Sequence, residues 1–282
     1  MKTRGQTSPQ FDEIGYWSEV KLDIVREYAS AYSTILSAQT HPRLYHAYID
    51  AFAGAGVHLS KRSGQYIAGS PINALYVNPP FREFHLIDLD GEKVERLRQI
   101  VGQRPNVNIY QGDCNKILLD DVFPKVRYED YRRGLCLLDP YGLHLNWEVI
   151  STAGKMKSID MFLNFPIMDM NRNALWKNPD RVGELGIARM NAFWGDDSWR
   201  NIAYSTDRNL FGMPEKEDNV AIVEGFRKRL KDVAGFKHVP EPIPMRNRMG
   251  AEVYYLFFAS QNMAAGNIIK DIFAKYRVRG EG

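Results

Sequence analysis

The sequence predicts an α/β fold: a mostly parallel, seven-stranded sheet with helices on both faces and a helical insertion after the fifth strand. Three observations predict it. Strand-like runs alternate with helical periods five times between residues 41 and 168, the rhythm that builds a parallel sheet. Two of those runs, "GLCLLDPYG" and "SIDMFLNFP", are almost wholly apolar, as strands covered on both faces are. The C-terminal part then carries two strand-like runs, "HVPEPIPMRNRMGAEVYYLFFAS", meeting at a turn near Arg248-Met249-Gly250.

Each element follows from its local pattern. Residues 1–40 form an N-terminal helical segment, in which Val20, Ile24, Tyr28 and Tyr32 fall on one face. "LYHAYIDAF" is the first strand and ends at Asp50. A polar loop, "HLSKRSGQYIAGS", precedes a short helix in which Ser70 is placed to cap and Pro71 to occupy the first position. "EFHLIDLD" is strand two and "GEKVERLRQIVG" its helix; "NVNIYQGD" is strand three. After the two apolar strands and the helix "NWEVISTAG" between them, the strand rhythm stops, and residues 169–215 read as the insertion. "EDNVAIVEGFRKRLKDVAG" resumes as an amphipathic helix, and "AGNIIKDIFAKY" is the last one. Residues 41–168 and 216–282 thus make up the sheet domain.

Composition bounds the function only loosely. At 282 residues, with 44% hydrophobic and 25% charged, the chain fits one large domain carrying an insertion. A formal charge of +3 permits an anionic partner without requiring one. No apolar run has the length of a membrane span, and "MKTRGQTSPQ" lacks a signal-peptide core, so a cytoplasmic protein is expected. Cys114 and Cys136 form no metal-ligand spacing, and no metal is expected.

In a sheet of this kind ligands sit at the carboxyl ends of the strands, near the point where the strand order reverses. Strand one ends in Asp50-Ala51-Phe52-Ala53-Gly54-Ala55-Gly56. Glycines there let the backbone approach a ligand. The third glycine of a dinucleotide fingerprint is missing, no phosphate loop is present, and an acid at Asp50 repels phosphate. An acid with glycines suits a cationic cofactor such as the amino-acid part of S-adenosylmethionine. Asp88 ends strand two, placed to accept the hydroxyls of a ribose, and Asp113, beside Cys114, ends strand three, placed to accept from an adenine amine. Strand four ends in Asp139-Pro140-Tyr141-Gly142. For any one of these acids the alternative is a cap on the following helix.

This series resembles the class I S-adenosylmethionine-dependent methyltransferases, and the fold is then expected to be Rossmann-like. Asp50 to Gly56 is similar to their first motif, Asp88 to the ribose acid, Gly112-Asp113 to the adenine-contacting motif and Asp139 to Gly142 to the catalytic fourth motif. Within the class, Trp17-x-x-x-Lys21, "GSPINAL" from Gly69 to Leu75, "DPYGL", "NFP" and "PMRN" with "YYLFFAS" resemble the three-Cys-motif partner (TcmP) family. The resemblance implies S-adenosyl-L-methionine as cofactor, bound by Asp50, Phe52, Gly54, Gly56, Asp88, Asp113 and Cys114. It also implies a partner, a radical S-adenosylmethionine protein carrying three cysteines, and leaves open that the chain is a non-catalytic subunit of that partner.

Methyltransferases acting on base amines carry [DN]-P-P-[YFW], and "DPYG" supplies Asp139, Pro140 and an aromatic one place early at Tyr141. The expected activity is methyl transfer to an exocyclic amine of a nucleobase in DNA or RNA. Asp139 and the Pro140 carbonyl would orient the amine, and Tyr141 would stack on the base. Asn164 at the end of strand five and Arg246 and Asn247 near the last turn are the expected substrate contacts. A literal "NPPF" at Asn78 to Phe81 follows a helix instead of a buried strand, and reads as a loop breaker. Trp176, Trp194 and Trp199 in the insertion either stack bases or anchor the insertion to a small core of its own, the second being favoured. Arg227, Lys228, Arg229 and Lys231 read as a solvated helix face.

Overall fold

The computed structural model describes residues 11–208 and 214–279. The reading of the N-terminus from residues 1–10, and residues 209–213 of the expected insertion, lie outside the described residues. In chain order the elements begin with β1 (Glu13–Ile14), α1 (Tyr16–Ala38), β2 (Tyr45–Asp50), β3 (Val57–Ser60), β4 (Tyr66–Ala68) and α2 (Ser70–Leu75). They continue with β5 (Glu83–Asp88), α3 (Gly91–Val101), β6 (Val107–Gln111), α4 (Cys114–Ile117), β7 (Arg132–Leu138), α5 (Trp147–Met156) and β8 (Ile159–Phe165). The remainder is α6 (Ile167–Asn173), α7 (Glu184–Trp194), α8 (Arg200–Ala203), β9 (Tyr204–Arg208), β10 (Pro214–Lys216), α9 (Asn219–Asp232), β11 (Ile243–Arg246), β12 (Glu252–Ala259) and α10 (Met263–Arg279).

Seven strands form the main sheet in the order β11-β12-β8-β7-β2-β5-β6. Pairs from β8 to β6 are parallel, and β12 runs antiparallel to both β8 and β11. The mostly parallel seven-stranded sheet is therefore present as expected. From β2 the chain moves outward through β5 to β6, then returns to β7 on the other side of β2. The order reverses between β2 and β7, so Asp50 and Asp139 stand on the two sides of the crevice where ligands bind.

Alternation along the strands divides the core in two. Leu137, Phe162, Leu256 and Tyr254 pack with Val20, Ile24, Val25, Tyr28 and Tyr32 of α1 on one face. Leu138, Leu163, Phe165 and Phe257 pack with α5, α7 and α9 on the other. Trp194 and Trp199 are fully buried in this second cluster, where the rings of Trp194, Phe165 and Phe193 approach Phe226. The expected insertion thus has no separate core among its described residues: Phe193, Trp194 and Trp199 join the main core and complete a face of the sheet.

The stretch expected as a polar loop after Gly56 is instead the β3–β4 hairpin, and β1 adds to it in parallel to make a small three-stranded sheet. Ser60 organises its turn, accepting the N–H groups of Arg62 and Ser63 while donating to Glu19 at 2.6 Å. "NPPF" is a loop, as expected: Phe81 is buried against Tyr32, His46, Tyr48 and Phe84, and Ser33 of α1 donates to the Pro79 carbonyl.

Candidate active site

The site begins with the turn after β2. Gly54 and Gly56 have φ of +61° and +82°, a conformation side chains rarely adopt. Nothing stands within 4 Å of where a Gly54 side chain would begin, so an open cradle faces outward there. A Cβ on Gly56 would lie 2.8 Å from Leu97 and 3.2 Å from Ile72, so that glycine lets α2 and α3 close on the turn. The Gly54 N–H donates to Asp88 Oδ2 at 2.8 Å, and the Asp90 N–H donates to Oδ1 at 2.9 Å. Each oxygen of Asp88 keeps a lone pair for a further donor. Leu89, 74% exposed, offers an apolar surface beside them that the sequence pattern did not single out.

Asp50 is placed differently from Asp88. It is 0% exposed and accepts from Ser70 at 2.6 Å, from the Phe52 N–H at 3.2 Å and from Tyr48 at 3.3 Å. Ser70 spends its hydroxyl there, and the α2 cap position belongs to Gly69. Burial pushes the Asp50 carboxyl up to about 7, against the three donors that favour its anion; the charge of Asp139 adds to the rise. Asp50 therefore builds the turn from within. Phe52 is half-buried against the second core cluster.

Asp113 caps α4, its Oδ1 taking the N–H and side-chain amide of Asn115, both at 2.9 Å. Asn115 also bridges to the loop after β7: its side-chain amide donates to the His144 carbonyl, and its Oδ1 accepts the Asn146 N–H. Burial and then Asp113 push the Cys114 thiol up to about 12, so it stays protonated and serves as a small apolar wall.

The fourth motif sits across the crevice. Asp139 Oδ2 is ion-paired with the ammonium of Lys21, which reaches over from α1. Lys21 is itself buried and lies over the ring of Tyr254, 5.4 Å from its centroid. Burial alone would lower the Lys21 pKa, but Asp139, with smaller contributions from Tyr254 and Tyr141, outweighs burial and raises it. Lys21 is thus a fixed cation. Its signal in the sequence was its place on the apolar stripe of α1, three and four residues before Ile24 and Val25, where a charge requires a counter-ion.

Pro140 offers its carbonyl to the Asn164 side-chain amide at 3.3 Å. Asn164 is only 7% exposed, and its Oδ1 is buried with no hydrogen-bond partner among the described residues. Tyr141 is 78% exposed, with the Lys93 ammonium 5.9 Å from its ring centroid. Asp169, at the start of α6, holds this loop by accepting the Leu143 N–H at 3.1 Å, and a side chain on Gly142 would collide with it.

A cavity of about 930 Å³ opens beside Tyr141, walled by Trp17 and Tyr254 and rimmed by Lys61, Lys93, Arg246 and Arg248. Asn247 also lines it, yet its Oδ1 is engaged in the turn, accepting the N–H groups of Met249 and Ala251. Arg246 lies 3.5 Å from Glu252. Asp12 and Glu13, at the start of β1, also line it, and Asp12 binds Lys93 at 2.6 Å. His58 on β3 carries a buried Nδ1 without a partner among the described residues, and burial followed by the charge of Lys21 lowers its pKa. The site therefore brings Tyr141, Arg246 and Asn247 to one cavity and places Asp50 and Asp113 in supporting positions. Lys21 belongs to the Trp17-x-x-x-Lys21 motif, which gave no hint of its ion pair; Asp12, Leu89, Asp169 and His58 come from outside the sequence motifs.

No protein-family model and no curated protein matches the sequence. Among solved structures, the chain is similar to protein LPL1258 from Legionella pneumophila, of the family model DUF519. The identity is 13%, covering 90% of this chain and 91% of that one, with a TM-score of 0.51. A Listeria monocytogenes protein assigned as an S-adenosylmethionine-dependent methyltransferase is 13% identical, with 86% and 99% covered and a TM-score of 0.42. The methyltransferase domain of bacterial CtHen1 is 8% identical, with 84% and 99% covered and a TM-score of 0.39. At such identities the likeness is one of fold alone: a Rossmann-like α/β chain with a mostly parallel seven-stranded sheet. Among the described residues no helix is long and apolar enough to cross a membrane.

Proposed function

We propose that this protein is an S-adenosylmethionine-dependent methyltransferase acting on an exocyclic amine of a nucleobase in nucleic acid. The observation that carries the reading is the pairing of two polar walls across the crevice between β2 and β7. One is the Gly54 turn locked to Asp88 at 2.8 Å, and the other is the Asp139-Pro140-Tyr141 loop locked to Lys21. The residues present fit the cofactor. Asp88 holds two oxygens with spare lone pairs toward a ribose, Leu89 gives an apolar surface for adenine, and the open cradle at Gly54 admits a close approach. Asp50 and Asp113 would act through the backbone they brace, and Phe52 and Cys114 would line the pocket.

When bound, the cofactor supplies an electrophilic methyl group. The chain's own contribution is positioning: Asp139 and its neighbours orient the amine, and Tyr141 stacks on the base. Methyl transfer leaves the amine with one proton too many, which passes to solvent once the product is released. The nucleic-acid side of the reading is supported by the cavity, where Arg246, Arg248, Lys61 and Lys93 surround exposed and half-buried aromatic rings. A duplex would have to present the base flipped out. The short motifs shared with the three-Cys-motif partner family extend the reading to a radical S-adenosylmethionine partner protein.

The test is transfer of label from methyl-tritiated S-adenosylmethionine to single-stranded RNA or DNA. The wild-type chain is expected to label a base, and Asp139→Ala to lose at least a hundredfold in rate. Label retained by Asp139→Ala contradicts the assignment.

A further inference from the structure

Three adjacent strands each place one polar residue on the α1 face at the same end of the sheet. Asp139 lies two residues beyond Leu137 of β7, Asn164 two beyond Phe162 of β8, and Tyr254 two before Leu256 of β12; all three apolar residues belong to the α1-facing core. The register sets Leu137 opposite Phe162 and Asn164 opposite Leu256, so these positions are neighbours across the sheet. Lys21 of α1 reaches Asp139 and Tyr254 from above.

Hydrogen bonding inside this group is incomplete in a specific way. Lys21 occupies Oδ2 of Asp139 and leaves Oδ1 without a donor among the described residues. Asn164 spends its amide N–H on the Pro140 carbonyl, and its Oδ1 is a buried acceptor with no donor among the described residues. A buried orphan acceptor is costly in a folded chain, and a ligand that supplies its donor removes the cost. The Pro140 carbonyl, which the sequence motif assigns to the amine, already accepts the Asn164 amide, whereas Asn164 Oδ1 has no donor among the described residues and gains more from one.

We propose that the amine is read by two side-chain acceptors, Asp139 Oδ1 and Asn164 Oδ1, with Lys21 as the positioning residue that fixes the carboxylate. The substrate group is then a primary –NH2 on a planar ring, since only two hydrogens satisfy both acceptors. A hydroxyl or a ring N–H has one, and leaves the other acceptor orphaned. This inference rests on the methyltransferase reading and replaces the proline carbonyl with Asn164 as the second acceptor. Tyr141, exposed at the cavity mouth, covers the ring that carries the amine.

Calorimetry on the full chain saturated with S-adenosylhomocysteine tests it, using adenosine, cytidine and guanosine against inosine, uridine and xanthosine. At least one amine-bearing nucleoside is expected to bind roughly tenfold more tightly than its oxo counterpart. Asn164→Leu and Lys21→Met bring that ratio near one, and Lys21→Arg keeps it, while affinity for S-adenosylhomocysteine, read in each variant, reports that the fold is intact. Equal wild-type affinities for each pair, no nucleoside binding at millimolar concentration, or an unchanged ratio in a folded Asn164→Leu overturns the inference alone. Failure of the wild type to bind S-adenosylhomocysteine overturns the methyltransferase reading with it.

Discussion

At Gly54 and Gly56 the backbone takes the same left-handed conformation for different reasons. The sequence shows only G-x-G, and the neighbours of each Cβ position separate their roles. Gly54→Ala is expected to cost about 1 kcal/mol, the conformational penalty alone. Gly56→Ala adds a collision with Leu97 and Ile72, and is expected to cost about 2–4 kcal/mol. Chemical denaturation of the two variants checks the order; equal losses contradict it. Asp50 carries a second expectation. Its carboxyl is raised to about 7 in the fold, while an unfolded chain ionises it near 4. The sign follows: its contribution is fully present below about pH 4 and is lost as pH rises to about 7, on the order of 4 kcal/mol in all. Asp50→Asn removes that dependence. Its melting temperature relative to wild type is expected to rise by several degrees between pH 5 and pH 8, and a difference that stays constant with pH contradicts the burial argument.

The elements differ in how firmly they are held. Strands β2 and β7 share six paired positions in the middle of the sheet, with Ile49 and Cys136 wholly buried. Strand β1 shares two with β3, at an edge, and depends on the Asp12–Lys93 ion pair and on the Lys61 N–H bonded to the Ile14 carbonyl. Hydrogen exchange is therefore expected to be slowest at Ile49 and Cys136 and several orders of magnitude faster across β1 and β3. Equal protection in the two sheets contradicts this ranking. The same contrast explains which elements were legible. Main-sheet strands and their helices announce themselves by apolar runs and a helical period, since each buries a continuous face. The β3–β4 hairpin buries little, so its polar sequence reads as a loop, and β1 is too short to carry a pattern. The tryptophans of the insertion were read as an anchor, but their destination, the face of the main sheet around Phe226, depends on contacts far along the chain.

At the scale of the molecule, the sheet order places the ends of β2 and β7 on one crevice, and that placement was legible because acids follow four successive strands. The ion pair that completes the site was not. Lys21 and Asp139 are 118 residues apart, and nothing local to either names the other. The roles of Asp50 and Asp113 were equally hidden, since a carboxylate facing a ligand and one bracing a turn or capping a helix leave the same letter in the sequence. The central claim is that the crevice binds S-adenosylmethionine through Asp88. A ligand that binds only the folded chain stabilises it by about 2.7 kcal/mol at a hundredfold excess over Kd, so binding and thermal stability move together. Isothermal titration calorimetry of wild type and Asp88→Ala with S-adenosylmethionine tests the claim most directly. One site per chain in the wild type, weakened at least tenfold in a folded Asp88→Ala variant, is the result predicted; no binding by the wild type, or an affinity unchanged by the substitution, contradicts it.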